Sequence, residues 1–247
     1  IVIGLDIGTT SICGAALDLP DGRLLRSVTR PNNAWLQADG VRAEQDPERI
    51  MTVVREIVDE LTGSCPDAAG IGFTGQMHGM LYVDRSGRAV SPLYTWQDRR
   101  ALQPADDRGT YVDWLERETG HSVAAGFGLV THAVLARQGN VPDQASTLCT
   151  IADYAAMRMG GGRVPVMDPS MAASLGFFDV EHGRFDKDAL SIAGLHDRML
   201  PRVVSTATRV GAADRGIPVF HAIGDNQASF LGSVRDPEQS LLINIGT

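Results

Sequence analysis

The stretch Ile3-Gly4-Leu5-Asp6-Ile7-Gly8-Thr9-Thr10 decides how the rest of the chain is read. Its apolar run reads as a strand, and Gly8-Thr9-Thr10 breaks it. Residues 12–17 continue as a second strand, and Pro20-Asp21-Gly22 turns the chain into a third from Leu24 onward. Three antiparallel strands are therefore expected. A tight glycine turn exposes successive backbone N–H groups, and Thr9 and Thr10 add hydroxyls, so Gly8 to Thr10 can hold phosphate without lysine. Asp6 at the strand end can hold Mg2+ directly or through water. The competing reading is an ordinary hairpin whose Asp and Thr side chains satisfy the turn itself.

Downstream, Asp46 caps an expected helix with Pro47 at its first position. Ile50, Val53, Val54, Ile57, Val58 and Leu61 keep one face apolar, and Gly63 ends it. Residues 68–73 and 81–83 read as strands, the second turning at Asp84-Arg85-Ser86-Gly87. Helices are expected over 110–118, 129–137 and 151–159, while 167–178 is rich in small residues and reads either way. A strand over 219–223, a short helix over 225–231 and a final strand over 241–245 complete the pattern. The expectation is one α/β domain, a mixed sheet with flanking helices and a helical insertion. The closing Leu242-Ile243-Asn244-Ile245-Gly246-Thr247 echoes the opening, both apolar strands delivering a Gly-Thr turn; short matches arise often by chance, and the echo carries weight only if each turn, Gly246 and Thr247 included, holds a phosphate.

Composition closes off several chemistries. The 247 residues are 43% hydrophobic, enough for a core, and 22 basic against 30 acidic side chains give a net charge of −8. An acidic surface does not track phosphate backbones, so no nucleic-acid partner is expected. No apolar run approaches the roughly 20 residues of a membrane helix. Lys187 is the only lysine, which excludes a phosphate loop ending in Lys-Ser or Lys-Thr. Cys13, Cys65 and Cys149 are widely spaced, which fits a reducing cytoplasm rather than a zinc ribbon or disulfide framework.

Three further segments carry polar groups after apolar runs. Gly75-Gln76-Met77-His78-Gly79 follows a buried strand; its glycines permit close backbone approach, and Gln76 and His78 suit sugar hydroxyls. Against that, a histidine after a strand is often only a hydrogen-bonded structural group. Tyr94-Thr95-Trp96-Gln97-Asp98-Arg99-Arg100 offers a ring face, an amide and a carboxylate for a polyol. The alternative places Trp96 in the core and pairs Asp98 with an arginine. Ile223-Gly224-Asp225-Asn226-Gln227 sets an acid at a helix start, where it can serve as a base or as a simple N-cap. Gly70-Ile71-Gly72-Phe73-Thr74-Gly75 matches the dinucleotide fingerprint but lies within a strand instead of opening a helix, and is set aside.

Taken in order, these motifs resemble the FGGY family of carbohydrate kinases, whose domains share the ribonuclease H-like fold of actin-like ATPases and sugar kinases. Gly4 to Ser11 is similar to that family's first phosphate motif, and Gly75 to Gly79 and Thr95 to Asp98 to its ketose-binding segments. The Trp-Gln-Asp form is most similar to sedoheptulokinases, then xylulokinases. The resemblance implies ATP-dependent phosphorylation of a ketose's terminal hydroxyl, with Asp225 as general base, Asp6 positioning Mg2+ and Gly8, Thr9 and Thr10 as phosphate loop. It implies that Gln76, Met77, His78, Trp96, Asp98 and Asn226 line the sugar, within a sugar-side domain over residues 1–240. Residues 241–247 would then open a second, ATP-binding domain. It implies a cytoplasmic enzyme and leaves room for a homodimer. Met171, within Asp168 to Ser174, stands where sedoheptulokinases tend to show Asn, which bears on the sugar. The rival classes are a sugar-binding regulator without turnover, which needs neither Asp6 nor Asp225, and an actin-like ATPase, which needs no Trp-Gln-Asp segment.

Overall fold

The computed structural model describes residues 1–204 and 207–243. Strands β1 (Val2–Ile7), β2 (Ser11–Asp18) and β3 (Arg23–Pro31) form the expected antiparallel meander. On the other side of β1, parallel to it, lies β4 (Ile71–Gly75). Two later strands, β5 (Arg209–Ala212) and β6 (Pro218–Gly224), complete a six-stranded mixed sheet in the order β5-β6-β4-β1-β2-β3. Here β6 runs parallel to β4, and β5 pairs antiparallel at the edge. The strand expected over 68–73 starts later, at Ile71; the Ala68 N–H is still bonded to the Cys65 carbonyl in the preceding turn.

Helix α1 (Pro47–Ser64) starts as read: the Asp46 carboxylate accepts from the Glu48 and Arg49 N–H groups, with Pro47 behind it. Ile50, Val54, Ile57 and Leu61 are fully buried against the sheet, each contributing about 2 kcal/mol of apolar burial. The helix runs one residue past Gly63, to Ser64, because the Cys65 N–H closes the last turn on the Leu61 carbonyl at 2.8 Å.

Helices α2 (Tyr111–Thr119) and α3 (Gly128–Arg137) build the helical insertion beside the sheet. α4 (Ile151–Met159) packs against β4 and β6 and is buried over its first seven residues. The ambiguous 167–178 segment resolves into a short helix, α5 (Pro169–Leu175), between two-residue strands. α6 (Lys187–Ile192) and α7 (Asp225–Ser233) follow. The described part of the expected final strand, residues 241–243, is irregular. Gly246 and Thr247 lie outside the described residues. Among the described residues no helix is long and apolar enough to cross a membrane.

One buried carboxyl makes stability depend on pH. Asp153, 1% exposed, completes a capping box with Thr150, whose hydroxyl donates to Oδ2 at 2.8 Å; Oδ1 has no partner. Burial pushes this carboxyl up to about 7, against the Thr150 hydrogen bonds. A folded-state value above the unfolded one means that the unfolded chain gives up its proton first. Stability is therefore lost as pH rises from about 4 to about 7, by on the order of 4 kcal/mol, and levels off beyond. Asp153→Asn should remove that slope. Its melting temperature should gain on the parent's between pH 4 and 7, and a constant difference across that window would refute the assignment.

Candidate active site

The strand register gathers the candidate residues. In the parallel ladders Ile7 pairs with Gly75, and Gly75 with Gly224, so β1, β4 and β6 end level. Their carboxyl ends deliver the Gly8-Thr9-Thr10 turn, the Gln76-to-Gly79 loop and the start of α7 to one rim, the place where open α/β sheets accept ligands. Gly75 and Gly79 are explained by packing. A Cβ would sit 2.8 Å from the Ile7 carbonyl oxygen at the first and 2.6 Å from that of Tyr94 at the second.

The first turn is only partly self-satisfied. The Gly8 N–H donates to the Ser11 carbonyl at 3.0 Å, and the buried Asn32 ties down the Gly8 carbonyl through Nδ2 at 2.9 Å. The Thr9 side chain works outside the turn: its hydroxyl donates to Gln76 Oε1 at 3.3 Å and accepts from Trp96 Nε1 at 3.0 Å. Gln45, fully buried, donates from Nε2 to the Thr9 carbonyl and accepts from Gln76 Nε2 at 3.1 Å. Thr9, Gln45, Gln76 and Trp96 are thus one network, while the N–H groups of Thr9 and Thr10 donate to no described residue. Those two free donors suit an anion.

Trp96 is 47% exposed, so the core reading fails for it. Asp98 goes the other way. It is 1% exposed, and both oxygens are taken: Oδ1 by the Arg100 N–H and Nε–H, Oδ2 by Arg100 Nη2 and the Ala43 N–H. Arg100 also pairs with Glu44 at 2.7 Å. This bidentate pair fixes the loop that carries Trp96 and leaves no acceptor free for a sugar.

His78 holds a left-handed backbone, φ 70°, uncommon outside glycine and often found at functional sites. Its N–H donates to Ser174 Oγ at 3.1 Å, and Nδ1 lies 2.8 Å from the Ser174 carbonyl. A carbonyl only accepts, so Nδ1 carries hydrogen, and in the uncharged form of the ring Nε2 is the acceptor. The ring stacks on Phe127, centroids 4.7 Å apart. Met77 is buried, its sulfur packed against the Gly224 backbone, and Asn226 is exposed on the first turn of α7.

Asp225 is not the N-cap; Gly224 occupies that position and Asp225 is the first helical residue. One oxygen accepts from the Asn226 N–H at 2.8 Å, and no side chain among the described residues donates to the carboxylate. Burial pushes this carboxyl up, with the Asn226 hydrogen bond and His78 opposing. Asp6, with no hydrogen bond from a described residue, is also pushed up, by burial and then by the Asp225 charge. Thr74 pairs in register with Asp6 on β4, and its hydroxyl is buried without a partner. No cluster of three or more acidic, His or Cys side chains forms a metal site among the described residues. A bare carboxylate beside an orphaned hydroxyl nevertheless fits a hydrated Mg2+, which commonly takes one or two carboxylates and completes its shell from water and phosphate.

Sequence reading missed Gln45, Asn32, Phe127 and Ser174. A buried amide such as Gln45 has no local signature, because only the tertiary fold brings it to Thr9, 36 residues away. Met171, singled out for its bearing on the sugar, is fully buried and touches the core rather than the rim.

The chain is 30% identical over 282 residues to mouse sedoheptulokinase, covering 100% of this chain and 57% of the relative. It is 27% identical to a Streptomyces rubiginosus xylulose kinase, over 94% of this chain and 50% of that protein. Among solved structures, gluconate kinase from Lactobacillus acidophilus superposes with a TM-score of 0.81 at 25% identity, covering 94% of this chain and 49% of that one. The chain therefore spans about half the length of these relatives. The fold is the actin-like, ribonuclease H-like one expected from the motifs. Residues 1–232 match the model of the N-terminal domain of the FGGY family of carbohydrate kinases, and the chain belongs to that family.

Proposed function

We propose that the full-length protein transfers the γ-phosphoryl group of ATP to the terminal hydroxyl of a ketose, sedoheptulose-like or xylulose-like. The observation that supports this most is the common rim: a free carboxylate at the start of α7, two free N–H donors in the Gly8-to-Thr10 turn, and an imidazole acceptor on the loop between them. In this reading Asp225 takes the proton of the attacking hydroxyl. A carboxylate held above its usual range is a stronger proton acceptor than an ordinary one. The Thr9 and Thr10 N–H groups hold transferring phosphate oxygens, which suits a reaction that asks for alignment and charge stabilisation. His78 Nε2 accepts from a sugar hydroxyl, and the exposed Trp96 ring covers one face of the sugar. Asp6 would hold Mg2+, which when bound neutralises charge on the phosphates. Residues 1–240 act as the sugar-side domain, and the adenosine is held by a second domain.

The test is a panel of ketoses, sugar acids and polyols given with ATP to the full-length protein and read as ADP release. Release that requires sedoheptulose or xylulose is the expected result. Sugar-independent release, or release only with gluconate or glycerol, would overturn the ketose assignment.

A further inference from the structure

The two groups that the proposed reaction must hold in register, the Asp225 carboxylate and the His78 imidazole, come from different strands, yet one short helix grips both. From α5, Ser174 accepts the His78 N–H on its hydroxyl and the Nδ1–H on its carbonyl. Its own hydroxyl hydrogen goes to the Met171 carbonyl at 2.8 Å, so its direction is set. One turn earlier, Ser170 Oγ accepts the Gly224 N–H at 2.9 Å, the bond that fixes the residue immediately before Asp225. Ser170 is oriented in turn by Asp168, whose Oδ1 takes its hydroxyl at 2.7 Å and its N–H at 2.9 Å. The other Asp168 oxygen meets His221 Nε2 at 3.3 Å, and His221 lies on β6 three residues before Gly224. Below, Met171 and Leu175 are fully buried, so α5 cannot shift without disturbing the core.

We infer that Ser170 and Ser174 are positioning residues, a two-point brace that fixes the separation between the Asp225 carboxylate and the His78 ring. The inference rests on the reading of Asp225 as base. It accounts for the polar residues of Asp168 to Ser174, which bond to β6 and to the loop after β4. Hydrogen bonds of Asp168 with His221 and Ser170 hold its carboxyl below the usual range despite burial, as an anchoring acceptor requires. Ser170 accepts the N–H of Gly224, the N-cap of α7, the donor that a capping box satisfies from inside the helix.

The experiment compares Ser170→Ala, Ser170→Thr, Ser174→Ala and Asp225→Asn in the full-length protein, with sedoheptulose and D-xylulose as probes. Ser170→Ala should lower kcat about 30-fold with sugar KM within about 2-fold, because displacing a base costs turnover more than binding. Ser170→Thr, which keeps the acceptor, should restore most of it. Ser174→Ala should act chiefly on sugar KM, raising it about 10-fold. Independently of turnover, the Gly224 amide should exchange slowly with solvent in the parent and much faster in Ser170→Ala, with Val219 and Ala222 unchanged. Parental kcat in Ser170→Ala while Asp225→Asn is inactive would overturn the brace and leave the base standing. Full activity in Asp225→Asn would remove the base instead. If neither ketose is phosphorylated, or Ser170→Ala does not fold, a fast-exchanging Gly224 amide in the parent overturns the brace, and a slow one supports it.

Discussion

Asp225→Asn in the full-length protein should lower kcat for sugar phosphorylation about 1,000-fold, the usual worth of a positioned general base, with sugar KM little changed. The change is nearly isosteric, and Asp225 is the first residue of α7 rather than its cap, so helix stability should hold. Loss of a capping carboxylate would instead cost about 1 kcal/mol and leave chemistry intact. The two readings of this acid therefore separate in one experiment: a folded, sugar-binding, inactive variant supports the base, and an active, less stable one supports the cap. Because burial and the Asp225 charge both oppose ionisation of Asp6, Asp225→Asn should also ease the ionisation of Asp6.

Asp98→Ala should be the most destabilising single change at the rim, by about 4 kcal/mol in chemical denaturation, because it leaves a buried guanidinium without its bidentate partner. Glu44 stays bonded to Arg100 and limits the loss. Trp96→Phe, which removes one hydrogen bond to Thr9 from an exposed ring, should leave unfolding within about 1 kcal/mol of the parent. If Asp98→Ala unfolds like the parent and raises the sugar KM, then Asp98 touches the sugar after all and the scaffold assignment is wrong.

Local signals and long-range ones parted company along this chain. The opening meander and the start of α1 were legible because a glycine turn, a Pro-Asp-Gly turn and an Asp-Pro cap act over a few residues. α4 was legible to its boundaries, with glycines following Met159. Gly63 misled because a glycine in a last turn is tolerated when the following N–H still finds a carbonyl. At the site, Asp6, Thr9, His78 and Asp225 were visible as residue types beside strand ends. Whether Asp98 served sugar or scaffold was not, since its partner Ala43, and the Glu44 that shares Arg100 with it, lie more than 50 residues away in sequence. Ser170 and Ser174 were hidden for the same reason: a serine in a small-residue segment looks alike whether its hydroxyl meets water or a distant strand end.

The level endings of β1, β4 and β6 carry an implication for how such proteins diversify. Each strand contributes one loop, and the loops are tied to one another: Thr9 bonds to Gln76, and α5 bonds both to His78 and to Gly224. An insertion in the loop after Gly75 would therefore be felt at the turn after Ile7 and at the start of α7. The three loops can drift only together, so a change tolerated in one has to be compatible with the other two.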